Sequence, residues 1–528
     1  MIQELERGGF DLLVIGGGAT GCGVALDAAS RGLRCALVER EDFGSGSSSR
    51  STKLVHGGVR YLEQAVRRLD RAQFRLVREA LRERSILLRN APHLTAWLPL
   101  FLPFYRWRDL PYYGAGLKLY DLLAGGAAAA PSRYLSARES GRRFPGVRAE
   151  GLRGGMQYLD GQFDDARLNL ALALTAIDHD AAVANYVEVV GFAQQGGKTA
   201  AAVVRDRLGE ATWEIEARAI VNACGPWSDQ LRRLERSDED ALLQVSSGAH
   251  LVVDRSFWPS EAGLLIPRTE DGRVLFVLPW LGHTLIGTTE EPGSPEVAPA
   301  AGEQAIAYLL RHANLVLSRP VTRADVKAAW AGLRPLVGAP GRGGTAALAR
   351  DHLIVHSPGG MITITGGKWT TYRRMAEEAV DYAVQQAGLA AAGPCRTADL
   401  PLAGAGGHAT AGADGGSWSA GLEPEVARHL RRAYGGRAEQ VLAQGSTGRL
   451  APGHPMIEAE VTWAARQELA QTALDVLARR TRLAFLDQSA AKAALPRVID
   501  LLAREFGWDE QRRARELAEA GERIERGL

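Results

Sequence analysis

Cysteine is scarce in this chain of 528 residues. There are four, Cys22, Cys35, Cys224 and Cys395, far apart and with no C-x-x-C pair. That pattern argues against a disulfide framework or a cysteine metal site and fits a reducing compartment. Long apolar runs are missing too. No uninterrupted stretch is long enough to span a bilayer. The opening residues, MIQELERGGFDLLVIGGG, carry acids early and hold too short an apolar run for a secretory signal. A large net charge is also absent: 63 Lys+Arg against 61 Asp+Glu leave +2, which excludes a molecule built as a whole to hold nucleic acid. No internal repeat is visible. The one local imbalance is a basic excess from Arg50 to Arg89, readable as a face toward anionic lipid or as a solvated helix surface. The expected location is cytoplasmic, or peripheral on the cytoplasmic face of the inner membrane.

What is present is a normal globular composition, 46% hydrophobic and 23% charged, in a chain too long for one ordinary domain. Leu12 to Ile15 reads as a buried parallel strand ending in glycines, Thr20 to Arg31 as a helix, and RCALVER as a second strand. Apolar residues recur at helical spacing between Gln64 and Asn90. The stretch PHLTAWLPLFLPFYRWRDLPYY holds too many prolines for one helix. Its aromatics and its Arg106 and Arg108 suit either a membrane interface or an interdomain core. Residues 182–221 are β-rich, and GAHLVVD, RVLFVLP and HTLIGTT predict an antiparallel sheet at about 245–345. GMITITGGKWTTYRRMAEEAV reads as strand, glycine turn and helix. Residues 388–421, rich in Ala and Gly, read as a linker, and 422–528 as a helical domain. Residues 1–387 then hold two interleaved units.

Gly16-x-Gly18-x-x-Gly21 lies between the first strand and the first helix, and Glu39 ends the second strand. G-x-G-x-x-G alone is a weak signal, but here strand, helix and acid are in register for a dinucleotide site. Gly16 permits the tight turn, Gly18 the approach of the pyrophosphate, and Gly21 close helix–strand packing. The helix N-terminus offers N–H groups to phosphate. A carboxylate at position 39 accepts from ribose hydroxyls and repels a 2′-phosphate, which leaves FAD or NAD.

The stretch GSGSSSRSTKLVHGGVRYLEQ decides between them. With IGGGATGCGVALDAASRGLRCALVERED before it, it resembles the N-terminus of the FAD-dependent glycerol-3-phosphate dehydrogenases. DDARLNLALA, VNACGPWSD, VLPWLGHTLIGTTE, AGLRPL, RDHLIVHS and GGKWTTYR follow in the family's order, as does EAEVTWAARQELAQTALDVLARRTRLAFLD near the C-terminus. The resemblance implies an α/β fold: a glutathione-reductase-type FAD-binding Rossmann domain, a substrate domain with an antiparallel sheet, and a C-terminal all-α domain. It implies oxidation of sn-glycerol 3-phosphate at C2 to dihydroxyacetone phosphate, with electrons passing through FAD to a membrane quinone. It departs from the family at Cys22 and Cys224. No D-x-D-x-D-G loop follows the helical region, so no calcium-binding extension is expected.

The substrate is a dianion whose C2 hydroxyl must lose a proton as hydride leaves, so the site needs fixed cations and a base. By resemblance, His56 lies near the reacting carbon as the base, and Arg60 near the phosphate. Arg334 in AGLRPL stands at the C2 oxygen, where charge develops. Lys368 reaches the phosphate after the Gly366-Gly367 turn, which brings N–H groups to the flavin. Tyr61, Thr370 and Arg350 are further substrate contacts. Ser48, Ser49, Thr52, Lys53 and Gly58 line the cofactor, and Gly225 lets the chain pass close to it. Each of these side chains also has a plain structural reading, as a packed histidine, a surface or interdomain ion pair, or a solvent lysine. A homodimer is compatible with the sequence, which does not fix the oligomeric state. Three rivals remain at this point: a glycerol-3-phosphate oxidase of the same fold that reduces O2 to H2O2, an amine or amino-acid oxidase on the same scaffold, and a non-catalytic flavin-binding protein.

Overall fold

The computed structural model describes residues 2–58, 71–125, 129–338, 352–389, 392–406 and 417–528. Arg60, Tyr61 and Arg350 fall outside them, as does the start of the helical pattern expected from Gln64.

Two sheets organise the described residues. In the first, the apolar strands Phe10–Ile15, Cys35–Val38, Ala182–Ala184, Thr212–Asn222 and Ile362–Gly366 pair in parallel. Helices cover this sheet, and its parallel strands are almost continuously buried, apart from the first half of Thr212–Asn222, which pairs with a hairpin instead. The hairpin Val187–Gln195 and Lys198–Asp206 extends Thr212–Asn222, and His352–His356 closes the far edge antiparallel to Ile362–Gly366. The helices Ala19–Ser30, Asp165–Asp178 and Tyr372–Ala387 pack on this sheet. Their small residues Ala25, Ala28, Ala173, Ala176, Ala379 and Ala383 let them approach closely.

The second sheet has ten strands. Six come from residues 243–337, inside the expected window. Four more come from Leu54–Val55, Thr95–Phe104, Arg133–Ser136 and Gly154–Phe163. The aromatic, proline-rich stretch read as a possible membrane interface is therefore mostly a core strand. Thr95–Phe104 pairs with Gly154–Phe163 along its length and with Gly263–Ile266 only at Leu100 and Phe101, between its two prolines. Leu98, Leu100, Phe101, Leu102 and Phe104 are buried. The apolar residues that do reach solvent lie just after it: Trp107 is 63% exposed, and Tyr112 and Leu122 stand out from the helix Asp109–Ala124. No helix among the described residues is long and apolar enough to cross a membrane.

Residues 392–406 have no regular structure but are packed down. Leu402 is buried, Asn90 donates to Thr397 O at 2.9 Å, and the Ala403 N–H donates to Thr175 Oγ1 at 2.9 Å. The C-terminal part is helical, from Pro424–Tyr434 to Glu510–Glu525, with one π-helical turn at Asp475–Arg480. That turn aims two arginines at Asp42. Arg480 grips the carboxylate at 2.6 and 2.9 Å, and Arg479 also bonds it. Arg167 holds Glu468 through two bonds of 2.7 and 2.8 Å. Burial alone would raise the Asp42 carboxyl, but Arg480 and Arg479 outweigh it and hold it at about 2.

A carboxyl lowered on folding stabilises the native state above its unfolded pKa, and that contribution disappears as pH falls through the folded value. Replacing Asp42 with Asn removes the anion that Arg480 grips through two bonds and leaves Arg479 with Asp475, a loss of about 3–5 kcal/mol. The expected outcome is a lower thermal midpoint at pH 7 and a weaker loss of stability between about pH 4 and pH 2. Thermal melts across that range check both.

Candidate functional site

The parallel strands of the first sheet end at one cavity of about 540 Å³. Its wall is made of the ends of those strands and the turns after them: Ile15 to Gly18, Val38 to Glu41, Ala223 to Gly225 and Ile364 to Trp369, with the loop Gly44 to Ser48 on one side. Ligands bind at the carboxyl ends of the strands in open α/β sheets, where the strand order reverses. Here Phe10–Ile15 sits between Cys35–Val38 and Thr212–Asn222, so the first strand is that reversal point.

Gly16 has φ 111°, and a Cβ there would lie 2.8 Å from Ala223 O. A Cβ on Gly21 would lie 1.8 Å from Gly16 O, so helix and strand meet only because position 21 is glycine. Gly18 caps the helix Ala19–Ser30, and the first helical N–H, that of Ala19, donates to Ser48 Oγ at 2.9 Å. The Glu39 carboxylate accepts from the Gly17 N–H at 2.6 Å and the Glu41 N–H at 2.9 Å, which pins it at the cavity wall. Burial raises its pKa, and those two N–H bonds oppose the rise. Arg40 lies over the Trp227 ring at 4.9 Å, and both line the same wall.

Of the residues expected at the cofactor, Gly16, Gly18, Glu39, Ser48, Gly225, Gly366 and Gly367 line this cavity, and so does Lys368. Gly366 and Gly367 have φ 80° and 70°. Gly21 lies behind the wall. Ser49, Thr52, Lys53 and Gly58 do not line it. Lys53 has a left-handed backbone, φ 65°, which turns its side chain into the interior. There Lys53 Nζ bonds Asp165 Oδ2 at 2.7 Å and Ser49 O at 3.0 Å, among the rings of Trp280, Trp330 and Phe485. Burial, with Arg482 adding to it against Asp165, lowers the Lys53 amine to about 8. Thr52 Oγ1 is 2.9 Å from His250 Nε2. Cys224 lines the cavity as an inert thiol, pushed up to about 12 by burial and then Glu39.

Two expected groups form smaller clusters beside the cavity. The half-buried His56 donates its N–H to Thr370 Oγ1 at 3.3 Å. Arg334 precedes Pro335, itself in the cavity wall. Its guanidinium lies across the neighbouring strand, donating to Thr288 Oγ1 at 2.9 Å and Thr289 O at 3.3 Å. A Cβ on Gly248 would come within 2.3 Å of that guanidinium. His250, one residue pair away on the same strand, stacks on Trp330. Burial, then Lys53 and Arg334, hold its pKa well below the usual histidine value, so it is neutral. Residue-by-residue reading of the sequence missed His250 and Asp165. The one stood in GAHLVVD and the other in DDARLNLALA, stretches that signalled a strand and a family without assigning a role.

The wall fits a dinucleotide: a helix N-terminus, glycines where a side chain would clash, and a fixed carboxylate. The comparisons agree. Residues 11–373 match the family model described as FAD dependent oxidoreductase, and 395–513 match the C-terminal domain of alpha-glycerophosphate oxidase. The chain is 46% identical to the mitochondrial glycerol-3-phosphate dehydrogenase of Mus musculus, over 97% of this chain and 72% of that one. The chain belongs to the FAD-dependent glycerol-3-phosphate dehydrogenase family. The crystal structure of the Bacillus halodurans glycerol-3-phosphate dehydrogenase complexed with FAD superposes with a TM-score of 0.81 at 33% identity, covering 99% of this chain and 96% of that one. An L-alpha-glycerophosphate oxidase from Mycoplasma pneumoniae shares the fold, with a TM-score of 0.56 at 18% identity over 71% of this chain and 94% of that one. The cofactor of this family member is FAD, and the protein is an oxidoreductase.

Replacing Glu39 with Ala removes the anchored acceptor. FAD affinity is expected to fall about 10- to 150-fold, the worth of a charge-assisted hydrogen bond. Fluorescence titration of the apoprotein with FAD measures it. The substrate preference of whatever holoenzyme remains is expected to be unchanged.

Proposed function

We propose that the protein oxidises sn-glycerol 3-phosphate at C2 to dihydroxyacetone phosphate and delivers the electrons to a membrane quinone. FAD supplies what no side chain can, an acceptor for the hydride that leaves C2. The chain's own residues bind, orient and deprotonate. Lys368 and Arg60 take the phosphate, with Tyr61, Arg350 and Thr370 as further contacts. His56 takes the proton of the C2 hydroxyl, since a histidine is the side chain best matched to neutral pH. Arg334, already fixed by Thr288 and Thr289, offers charge where the C2 oxygen becomes anionic, so little reorganisation is needed. The observation that carries the reading is Lys368. It is a cation on a glycine turn, in the wall of the same cavity as the dinucleotide motif.

The domain division goes with this reading: residues 1–387 bind FAD and substrate, 388–421 connect, and 422–528 form the helical domain. The protein works at the cytoplasmic face of the inner membrane as a peripheral enzyme. The exposed Trp107, between Arg106 and Arg108 in the chain, and the exposed Tyr112 soon after support that placement, because aromatics with arginines suit the lipid interface.

Lys368→Ala and Arg60→Ala are expected to raise KM for glycerol 3-phosphate about 10- to 150-fold, since both bind the unreacting phosphate. His56→Ala is expected to slow flavin reduction at saturating substrate about 10²- to 10⁴-fold. Glycerol is expected to be a very poor substrate for wild type, with a smaller penalty in the Lys368 and Arg60 variants. Anaerobic stopped-flow reduction with both substrates tests the scheme. Equal reduction of wild type by glycerol and glycerol 3-phosphate sinks the phosphate pocket.

The oxidase is the second reading, favoured by the match of residues 395–513 to the C-terminal domain of alpha-glycerophosphate oxidase. The chemistry at C2 is the same and only the acceptor differs. Enzyme first reduced without oxygen, then mixed with a quinone analogue or with O2, separates them. Faster reoxidation by the quinone is expected. Faster reoxidation by O2, with H2O2 formed, makes the protein an oxidase.

A further inference from the structure

Backbone N–H groups at His56 and at the next residue are both tied down, from opposite sides. The His56 N–H meets Thr370 Oγ1, while the Gly57 N–H donates to Tyr120 Oη at 2.9 Å. Tyr120 lies on the helix Asp109–Ala124, well removed in sequence, and its side chain is buried. Its hydroxyl donates to Asp160 Oδ2 at 3.1 Å, and Asp160 Oδ1 accepts from Arg84 at 2.7 Å. Asp160 and Arg84 are each about 1% exposed, so this is a fully desolvated ion pair with a phenol attached.

The chemistry of the groups fixes the direction of these bonds. A carboxylate paired with arginine only accepts, so the phenol hydrogen points to Asp160 and an oxygen lone pair is left for the Gly57 N–H. Burial, then Asp160, keeps the Tyr120 pKa well above its ordinary value, so the hydroxyl stays protonated throughout the working range. The low dielectric strengthens each bond in such a chain. The fit is close: a Cβ on Gly57 would lie 2.4 Å from Leu81 Cδ2 and 2.5 Å from Tyr120 Oη. The strand that carries Asp160 also holds the chain just before His56, through the pairs Leu54 with Gln162 and Val55 with Gly161. One strand thus sets the loop on both sides of His56, by its ladder upstream and through Asp160 and Tyr120 downstream.

We infer that Tyr120 is a positioning residue for the oxidation: oriented by Asp160, its hydroxyl sets the backbone at Gly57 and thereby the place of His56. The inference rests on the reading of His56 as the base. Misplacing a base by a fraction of an ångström slows the chemical step, while Lys368, on a separate turn, still holds the phosphate.

The test uses the full-length, FAD-loaded enzyme as wild type, Tyr120→Phe, His56→Ala and the double variant. For each, FAD content, thermal midpoint, KM and the rate of flavin reduction at saturating glycerol 3-phosphate are measured. Tyr120→Phe keeps the ring and removes only the oxygen. It is expected to slow reduction about 10- to 100-fold with FAD content unchanged and a smaller change in KM, since Lys368 still holds the phosphate. The double variant is expected to be no slower than His56→Ala alone, because residues that act through one another are not additive. A wild-type rate in Tyr120→Phe beside a slow His56→Ala overturns this inference and leaves the base assignment standing. A wild-type rate in His56→Ala overturns both. Rate losses that multiply in the double variant overturn the link between the two residues. If Tyr120→Phe loses FAD, Gly57→Ala perturbs the same contact by crowding it, and the same fall in rate, larger than any change in KM, is expected. Loss of FAD in both variants overturns the inference and makes Tyr120 part of the cofactor scaffold.

Discussion

Asp42 is completely buried, with the guanidinium groups of Arg479 and Arg480 turned onto it. Eleven residues on, Lys53 is buried as well, paired with Asp165, which also accepts from Arg482 and from the N–H and hydroxyl of Ser51. Between these two anchors runs the loop whose residues Gly44 to Ser48 form one wall of the cofactor cavity. The wall is therefore strung between two desolvated carboxylates, and the arginines that neutralise them come from the C-terminal helical part. Well-packed apolar side chains would often stabilise such an interface as well as ion pairs do. What apolar contacts would not provide is a unique position, because bidentate guanidinium–carboxylate geometry admits one register. Asp165 adds to this as the first residue of its helix, where a carboxylate is favoured by the helix dipole.

Burial holds three basic groups in this part of the interior below their ordinary values, although Asp165 lies among them. Lys53 and Arg50 are lowered to about 8 and about 9, and the His250 pKa is also lowered. Burial is the largest cause in all three. Neighbouring cations come next for Arg50 and His250, and for Lys53 Arg482 works against the Asp165 attraction. Burial beside these cations disfavours a further positive charge. It also keeps His250 neutral, so that Thr52 and His250 can share a hydrogen bond without adding another charge.

The parts of the molecule that could be read in the sequence are those fixed by local spacing. Gly16, Gly18, Gly21 and Glu39 announce a strand, a turn, a helix and an acid whose geometry follows from a few dozen adjacent residues. Leu12 to Ile15 was equally visible as a parallel strand, since burial on both faces leaves a continuous apolar run, whereas Thr212–Asn222, polar and partly exposed over its first half, carried no such mark. His56, Arg334 and Lys368 stood out only through family resemblance. The residues that could not be read depend on distant partners. Lys53 looks like a phosphate ligand in a Ser-rich basic loop until Asp165, 112 residues later, is seen to claim it. Thr95–Phe104 has the composition of an interfacial segment because a strand buried between two others is also rich in Leu and Phe. Tyr120 carries no signal at all, because its importance lies in the oxygen lone pair it turns to a backbone N–H 63 positions earlier.

The order in which the ribosome makes this chain gives the arginine anchors a further meaning. Asp42 is synthesised 438 residues before Arg480, and Asp165 317 residues before Arg482. At roughly 5–20 residues per second, Asp42 waits about 20–90 s for its partner. A lone carboxylate does not stay buried without a counterion, so the nascent Rossmann unit keeps Asp42 in water during that interval. The loop between Asp42 and Lys53 therefore takes its final shape only after the last hundred residues have emerged. Cofactor capture becomes a late event in the life of the polypeptide, and a truncated chain that has folded its glycine-rich turn correctly still lacks one side of the vessel.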